Sequence, residues 1–484
     1  MSFPRLSVFI ILAIWVALFA ALLQRDYFVK KINLHEKQLL TRSKEESYLG
    51  VYFKGERIGF VQNRYSPQET GSVRLLQNSH LLLNILGQNH PVDMSLEADL
   101  STDFLLQSFS FSLSSTFYRM NAKGTIHGNT VNFSLSTGKE EISDSITLKA
   151  PPILPVNQRG YLLKQDLLPG EKIRIPFFDP VTLSGKETTM EYRGKEKVLI
   201  HNRVLSLHRF VESYAGIRIN SWLDDQGKVI KEESPAGFIF LAEPEFKARN
   251  IAGKGEEILG AVAVPFTGDL SGLANASSVT FKLTLPTDSE FDLHGDRQIY
   301  SDSILTLSRE EIPEGDFCEG PDTNLEATPF IQTTNPEIHK LAEKLTSGQT
   351  SSMTKVKTIG NWLYTQIDKQ PVISIPDALT TLNSRKGDCN EHAVLFAALA
   401  RNRGIPTRVV AGVMYHAGKF YYHAWNEVCI SDTWISIDTT KNQIPADLSH
   451  IKFIEGNLRD QTKIISLLGN LGIELVGIDM EKKK

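Results

Sequence analysis

Cysteine is scarce in this chain. Three residues in 484 carry a thiol: Cys318, Cys389 and Cys429. That number excludes a disulfide scaffold, and because it is odd, at least one thiol has no partner within the chain. A surplus of positive charge is also missing. Lys and Arg total 52 against 56 Asp and Glu, for a net charge of −4. A nucleic-acid-binding face normally brings a marked basic excess, so nucleic acid is not an expected partner. The basic pairs Lys30-Lys31 and Arg385-Lys386 are too short to change that. No EF-hand loop or acidic cluster suggests calcium, and neither a metal nor another cofactor is expected. No internal repeat is visible. With 41% apolar and 22% charged residues, the composition is ordinary and general disorder is excluded. At roughly 150 residues per domain the length suggests about three units.

Only one long hydrophobic run is present. Leu6 to Leu23 is 18 residues long, with Ser7 its only polar member. As a helix it would extend about 27 Å, enough for a bilayer core. Arg5 and Arg25 bracket it. Small-residue cleavage fails, because Leu18 and Phe19 occupy the −3 positions for cuts after Ala20 and Ala21. The expectation is therefore an uncleaved signal anchor at residues 6–23, with the rest of the chain periplasmic or otherwise extracytoplasmic. Arg25, Lys30 and Lys31 argue the other way, since the positive-inside rule would hold them in the cytoplasm. Residues 1–45 form this anchor and a charged stalk.

Beyond Tyr48 the pattern changes to a period of two. Phe109, Phe111 and Leu113 alternate with serines, and Val131, Phe133 and Leu135 alternate with Asn132, Ser134 and Ser136. Such alternation predicts half-buried antiparallel strands. His127-Gly128-Asn129 and Asp225-Gln226-Gly227 predict turns between them. Residues 46–250 are expected to form a large antiparallel β-rich domain. Residues 251–324 read as a smaller β region ending in the linker Pro313 to Pro321. From about Thr328 helical spacing takes over: Ile338, Leu341, Ala342 and Leu345, then Val356, Ile359, Leu363 and Ile367. Residues 325–460 form a catalytic unit and 461–484 a tail. The fold class is α+β.

The residues that carry chemistry lie in that unit. In Gly387-Asp388-Cys389-Asn390-Glu391-His392, the Asp388/Glu391 spacing is that of a capping box. Cys389 then becomes the first residue of an apolar, buried helix that stops at Gly404 with Pro406 beyond it. A thiolate there meets unpaired N–H groups and the positive helix end, which should lower its pKa. Two further strands, His423-Ala424-Trp425-Asn426-Glu427-Val428 and Trp434-Ile435-Ser436-Ile437-Asp438, suggest a hairpin. A two-residue turn at Ile430-Ser431 would set His423 opposite Asp438. A turn at Ser431-Asp432 would keep both on one face, and a three-residue loop would not. Either two-residue turn allows a carboxylate beside an imidazole. With the thiol brought near, this is a Cys389–His423–Asp438 triad.

Taken together, Gly387-Asp388-Cys389, Arg401…Gly404-Ile405-Pro406-Thr407-Arg408, His423-Ala424-Trp425…Glu427 and Trp434…Asp438 resemble the core of the transglutaminase-like superfamily. The resemblance covers roughly residues 328–455 and implies a papain-like fold. It also implies Cys389 as nucleophile, His423 as base, Asp438 as the third member, and an oxyanion hole that uses the Cys389 N–H and a second, upstream donor. No residue is assigned to that donor; Trp362 reads as a packed helix residue. Where the family often has Asp-Pro-Thr, this chain has Asp438-Thr439-Thr440.

The expected function is hydrolysis or acyl transfer at amide bonds of a protein or peptide substrate, through a thioester. The sequence leaves open whether water or an amine resolves it. The alternative is a catalytically silent envelope binding or assembly module that uses the β-rich domain; a purely structural membrane protein has least support. Cys318 and Cys429 are packed thiols or a disulfide. His392 could pair with Cys389 at a metal, but no further Cys/His cluster stands nearby. His416 and His450 read as surface loop residues; Asp447 and His450 could line the cleft but read as structural. Trp425 and Trp434 should shield the His–Asp bond.

Overall fold

The computed structural model describes residues 30–31 and 45–480, except for 69–70, 102–104, 117, 138–140, 153, 155–162, 164–166, 181–182, 215–216, 252–254, 287–290, 317, 319–323 and 457. The expected anchor at 6–23 lies outside the described residues, as does most of the stalk. Among the described residues no helix is long and apolar enough to cross a membrane.

The β-rich part follows its alternation. In the strand Leu106–Ser115 the side chains of Phe109, Phe111 and Leu113 are buried, while the serines between them are exposed or half-buried. In Thr130–Ser136, Val131, Phe133 and Leu135 turn inward. Each inward aromatic or aliphatic contributes about 1.5–3 kcal/mol by leaving water. The predicted turn between Arg119–His127 and Thr130–Ser136 is present, with His127 paired to Thr130 and Gly128 at φ 61°. Neighbours in sequence are neighbours in the sheet, with one return. Phe238–Glu243 pairs antiparallel with Glu45–Phe53, which joins two meanders into a fifteen-stranded sheet among the described residues. Lys30–Lys31, within the expected stalk, adds a parallel edge to Lys172–Asp179.

The C-terminal part opens with Pro336–Thr346, capped by Asn335 with proline at its start. Ser352–Gln366 follows. Their predicted stripe faces inward: Ile338, Ala342, Val356, Ile359 and Leu363 are fully buried. Cys389–Asn402 is the central helix, and every residue from Glu391 to Arg401 is buried. It ends where Gly404 takes φ 74°, a left-handed cap that glycine adopts without strain. Against it packs a sheet of Thr407–His416, Lys419–Ile430, Thr433–Ile437 and His450–Glu455.

Two stretches differ from the organisation read from the sequence. Strands within 251–324 join the C-terminal sheet directly: Val264–Thr267 pairs with Lys419–Ile430 on one side and with Gly472–Met480 on the other. The stretch 461–484, read as a tail, contains Gly472–Met480, which also pairs along Ala276–Thr284. The physical reason is a second apolar core. Ile473 is buried there beside Val279, Phe281 and Phe420, with Leu475 and Ile478 packed against it. Gly469 and Asn470 lie just before that strand, and Gly472 is its first residue. Residues 481–484 lie outside the described residues.

The β-rich sheet bears on the loop that leads into the central helix. Ser115 Oγ donates to the Ile373 carbonyl at 2.6 Å, and Thr380 Oγ1 donates to the Thr137 carbonyl. Ile375 is buried within the β-rich core. A cavity of about 310 Å³ lies between the two parts, lined by Phe133, Ile146, Leu183, Phe330, Asn390 and Val394 among others.

Candidate active site

The start of the central helix is built by its own sequence. Asp388 has an extended backbone and accepts from the Asn390 N–H at 3.0 Å, while Glu391 Oε2 accepts from the Asp388 N–H at 2.9 Å. This is the predicted capping box. Gly387 is part of it, because a Cβ there would stand 2.4 Å from the Glu391 Cβ. The folded-back glutamate leaves no room for a side chain. Ser374 Oγ donates to the other Glu391 oxygen. Cys389 is thereby fixed as the first helical residue, half-buried and free of any disulfide.

The thiol's electrostatics run against the sequence expectation. Burial pushes the Cys389 thiol well above its ordinary value, and the nearby Asp388, Glu391 and Asp438 carboxylates push the same way. A hydrogen bond from the Ala424 backbone N–H opposes them. The helix end supplies only about half a positive charge, and it sits among three carboxyl groups. The resting group is a neutral thiol.

The hairpin has the second of the two turns weighed from sequence. Ile430 pairs with Thr433, so Ser431 and Asp432 form the turn, with φ 47° and 57°. Both central residues have positive φ, as in a type I′ turn. Asn426 pairs with Ile437. Continuing that register puts Asp438 across from Trp425 and diagonal to His423 on the same face. The side chains meet there, with His423 Nε2 2.8 Å from Asp438 Oδ2.

A second imidazole meets the same oxygen. His450 Nε2 lies 3.0 Å from Asp438 Oδ2, and its Nδ1 lies 3.0 Å from Asp447 Oδ1. His450 is therefore not a surface loop residue. It begins the strand His450–Glu455 and is completely buried. Asp447, read as structural, holds its far nitrogen. The one sequence signal was the spacing Asp447-x-x-His450 beside a block already rich in site residues. Asp438 Oδ1 is equally occupied, accepting from the Thr440 N–H at 2.8 Å, Thr440 Oγ1 at 2.6 Å and the Lys441 N–H at 3.2 Å. With no proline after Asp438, Thr440 and Lys441 orient the carboxylate instead. Burial alone would raise the Asp438 carboxyl, but the bonds from His423 and His450 outweigh it and hold it well below the usual range. Burial would likewise lower His450, but Asp438 and Asp447 raise it.

Gly412 makes room for this arrangement. It pairs with His423 on one side and Lys452 on the other. A Cβ there would lie 1.9 Å from the Ile451 carbonyl and 2.8 Å from the Trp425 ring. Trp425 is buried, stacks on His423 with centroids 6.1 Å apart, and presents an edge to His450 at 5.2 Å. It fills the shielding role expected of both tryptophans. Trp434 instead lies beneath the Arg408 guanidinium at 4.1 Å. Arg408 also binds buried Glu427, with Nε to Oε2 at 2.6 Å, so those two motif residues form an ion pair across the strands. Trp362 packs against the helix core, with the Arg385 guanidinium 4.5 Å above its ring. His392 is buried, with Nδ1 3.2 Å from Thr439 Oγ1. Burial lowers it to about 4, helped by Lys369, so it is neutral near pH 7. His416 is exposed at a strand end, apart from these residues.

Donor atoms of His423, Asp438 and His450 lie within 4.8 Å of one another, a spacing that metal ligands also have. The two Nε2–Oδ2 separations of 2.8 and 3.0 Å are already those of hydrogen bonds. Cys318 and Cys429 form a disulfide that ties the linker to the hairpin strand.

The transglutaminase-like superfamily matches residues 339–439, so the chain carries a transglutaminase-like region there. No curated protein matches the chain. Among solved structures, "a Putative Cysteine Protease" from Cytophaga hutchinsonii is similar at 20% identity, covering 43% of this chain and 85% of that one, with a TM-score of 0.28. A β-barrel-like protein of a domain of unknown function from Brucella abortus is similar at 10% identity, covering 41% of this chain and 94% of its own length, with a TM-score of 0.33.

Proposed function

We propose that this protein is a thiol-dependent hydrolase or acyltransferase acting on amide bonds of protein or peptide substrates. The observation that carries the reading is the His423–Asp438 bond of 2.8 Å, on a hairpin packed against the helix whose first residue is Cys389. Asp438 occupies His423 Nε2, which leaves Nδ1 to exchange a proton with Cys389. Because the resting thiol is neutral, the proton moves to His423 as sulfur attacks the amide carbonyl. The Cys389 backbone N–H, a terminal donor of the helix, supports the oxyanion. His423 then protonates the leaving amine. The thioester is released by water in a hydrolase or by an amine in a crosslinking enzyme.

An extracytoplasmic location belongs to the same proposal. The hydrophobic run at 6–23 would anchor the chain in a membrane, and the Cys318–Cys429 disulfide suits an oxidising compartment. Protease accessibility of the C-terminal part in spheroplasts tests it; protection before lysis would refute it.

The enzyme reading is tested by incubating the protein with a thiol-reactive peptide probe. Labelling should occur at Cys389 and vanish in Cys389→Ala. Labelling that persists in that variant sinks the reading. Mass analysis of products with and without an added primary amine separates hydrolysis from transfer.

A further inference from the structure

We infer that His450, held between Asp438 and Asp447, is a positioning residue that limits the proton affinity of His423 by sharing the Asp438 carboxylate. The inference rests on the triad reading above and deepens it.

The geometry fixes the protonation of His450. Its Nε2 faces Asp438 Oδ2 at 3.0 Å and its Nδ1 faces Asp447 Oδ1 at 3.0 Å. Both partners are acceptors when ionised, and a neutral imidazole has one donor nitrogen and one lone pair. A neutral His450 would aim that lone pair at a carboxylate oxygen. Two donors satisfy both sides, so the ring is an imidazolium.

The surroundings hold it in that form. From the hairpin come Asp438 and His423, whose ring centroid is 5.6 Å from that of His450. From its own segment comes Asp447, fixed by Gln443 Nε2 at 2.8 Å and by the Ser449 N–H at 2.8 Å. From the turn before the strand Gln298–Ser301 comes Arg297, which donates to the carbonyls of Ala446, Asp447 and His450 and is itself 3.7 Å from Glu310. From the central helix come His392, neutral near pH 7, and Cys389. Trp425 covers both imidazoles and keeps water out.

One oxygen thus serves two rings. A cation already bound at Asp438 Oδ2 weakens that carboxylate's hold on a second cation at His423. His423 is left as an acceptor ready to take the thiol proton, instead of being locked as an imidazolium before substrate arrives. This agrees with the neutral resting thiol.

The test is the pH dependence of Cys389 alkylation by iodoacetamide in the full chain, which requires no substrate. His450→Gln keeps an N–H donor for Asp438 and removes the charge. The acid limb, where His423 loses its proton and becomes able to accept that of the thiol, should move up by about one pH unit, a tenfold change in proton affinity. An unmoved limb in a folded His450→Gln protein means His450 only fills the core, and the inference fails. If that variant does not fold, ring nitrogen NMR of the wild-type chain decides. His450 should carry protons on both nitrogens at pH 7, and lose one more readily in Asp447→Asn. A neutral His450 at pH 7 overturns the inference. A chain that alkylates with this profile but cleaves or transfers no amide would sink the enzyme reading alone and leave the proton-affinity result intact.

Discussion

Replacing Asp438 by Asn puts a number on the proposed triad. The carboxylate stands 2.8 Å from His423 Nε2 and is 1% exposed. When His423 takes the thiol proton, the new cation and Asp438 are about 4 Å apart between charge centres, and at an effective dielectric of about 20 that attraction is about 4 kcal/mol. Losing it costs about three decades in forming the imidazolium. The substitution is also not shape-neutral here. Oδ2 accepts from His423 and His450, and Oδ1 accepts from Thr440 twice and from Lys441. An amide NH₂ in either position points donors at donors. If it takes the Oδ1 position, up to three protein donors lose their acceptor, at about 1–3 kcal/mol for each that remains buried and unpaired. The assay is kcat/KM on a labelled peptide, together with the iodoacetamide rate and a thermal melt. The expected result is about a 10³-fold fall in kcat/KM, a clearly lowered alkylation rate at neutral pH, and a lower Tm. A variant that alkylates within threefold of wild type, with its melt lowered as expected, would show that Asp438 holds the loop and not the proton.

Three further outcomes follow from the same residues. Cys318 and Cys429 are 111 residues apart, and a closed loop of that length restricts the unfolded chain by up to about 5 kcal/mol; Cys318→Ser should lower Tm markedly while Cys389 still alkylates, and an unchanged Tm refutes the stabilising role. His392 falls from 6.5 to about 4, so the unfolded chain binds a proton that the folded chain refuses; its contribution to stability is complete above pH 6.5 and declines by about 3 kcal/mol as pH falls towards 4. Denaturant titrations of wild type and His392→Gln should therefore converge at low pH, and parallel curves would contradict this. Gly412→Ala should displace the strand His450–Glu455 or the Trp425 ring, because its Cβ meets backbone at 1.9 Å; a loss of several kcal/mol is expected, and a variant with wild-type Tm would mean the strands separate freely.

Much of the site was legible because it is local. The capping box needs four consecutive residues, and a hairpin with a two-residue turn places Asp438 on the His423 face by counting. The strands of the β-rich part were equally readable, since burial of one face writes itself as alternation. What escaped depends on long-range pairing. His450 reaches Asp438 only because its strand pairs with Thr407–His416 and because Gly412 lets the backbones close. Nothing in the sequence near His450 encodes that approach except an aspartate three residues before it. Gly472–Met480 was lost for a similar reason: its partner Ala276–Thr284 lies about 200 residues away.

The thiol's protonation shows a different kind of shortfall. Helix position argues for activation, and the argument is sound for an isolated helix. Here the capping residues that create the helix start are themselves carboxylic acids, and Asp438 adds another. The same Asp388 and Glu391 that place Cys389 also oppose its ionisation. In the proposed enzyme, activation would then come from proton transfer to His423 during attack and not from a standing thiolate. That requirement makes the balance at Asp438, pulled by two imidazoles, the variable on which reactivity would turn.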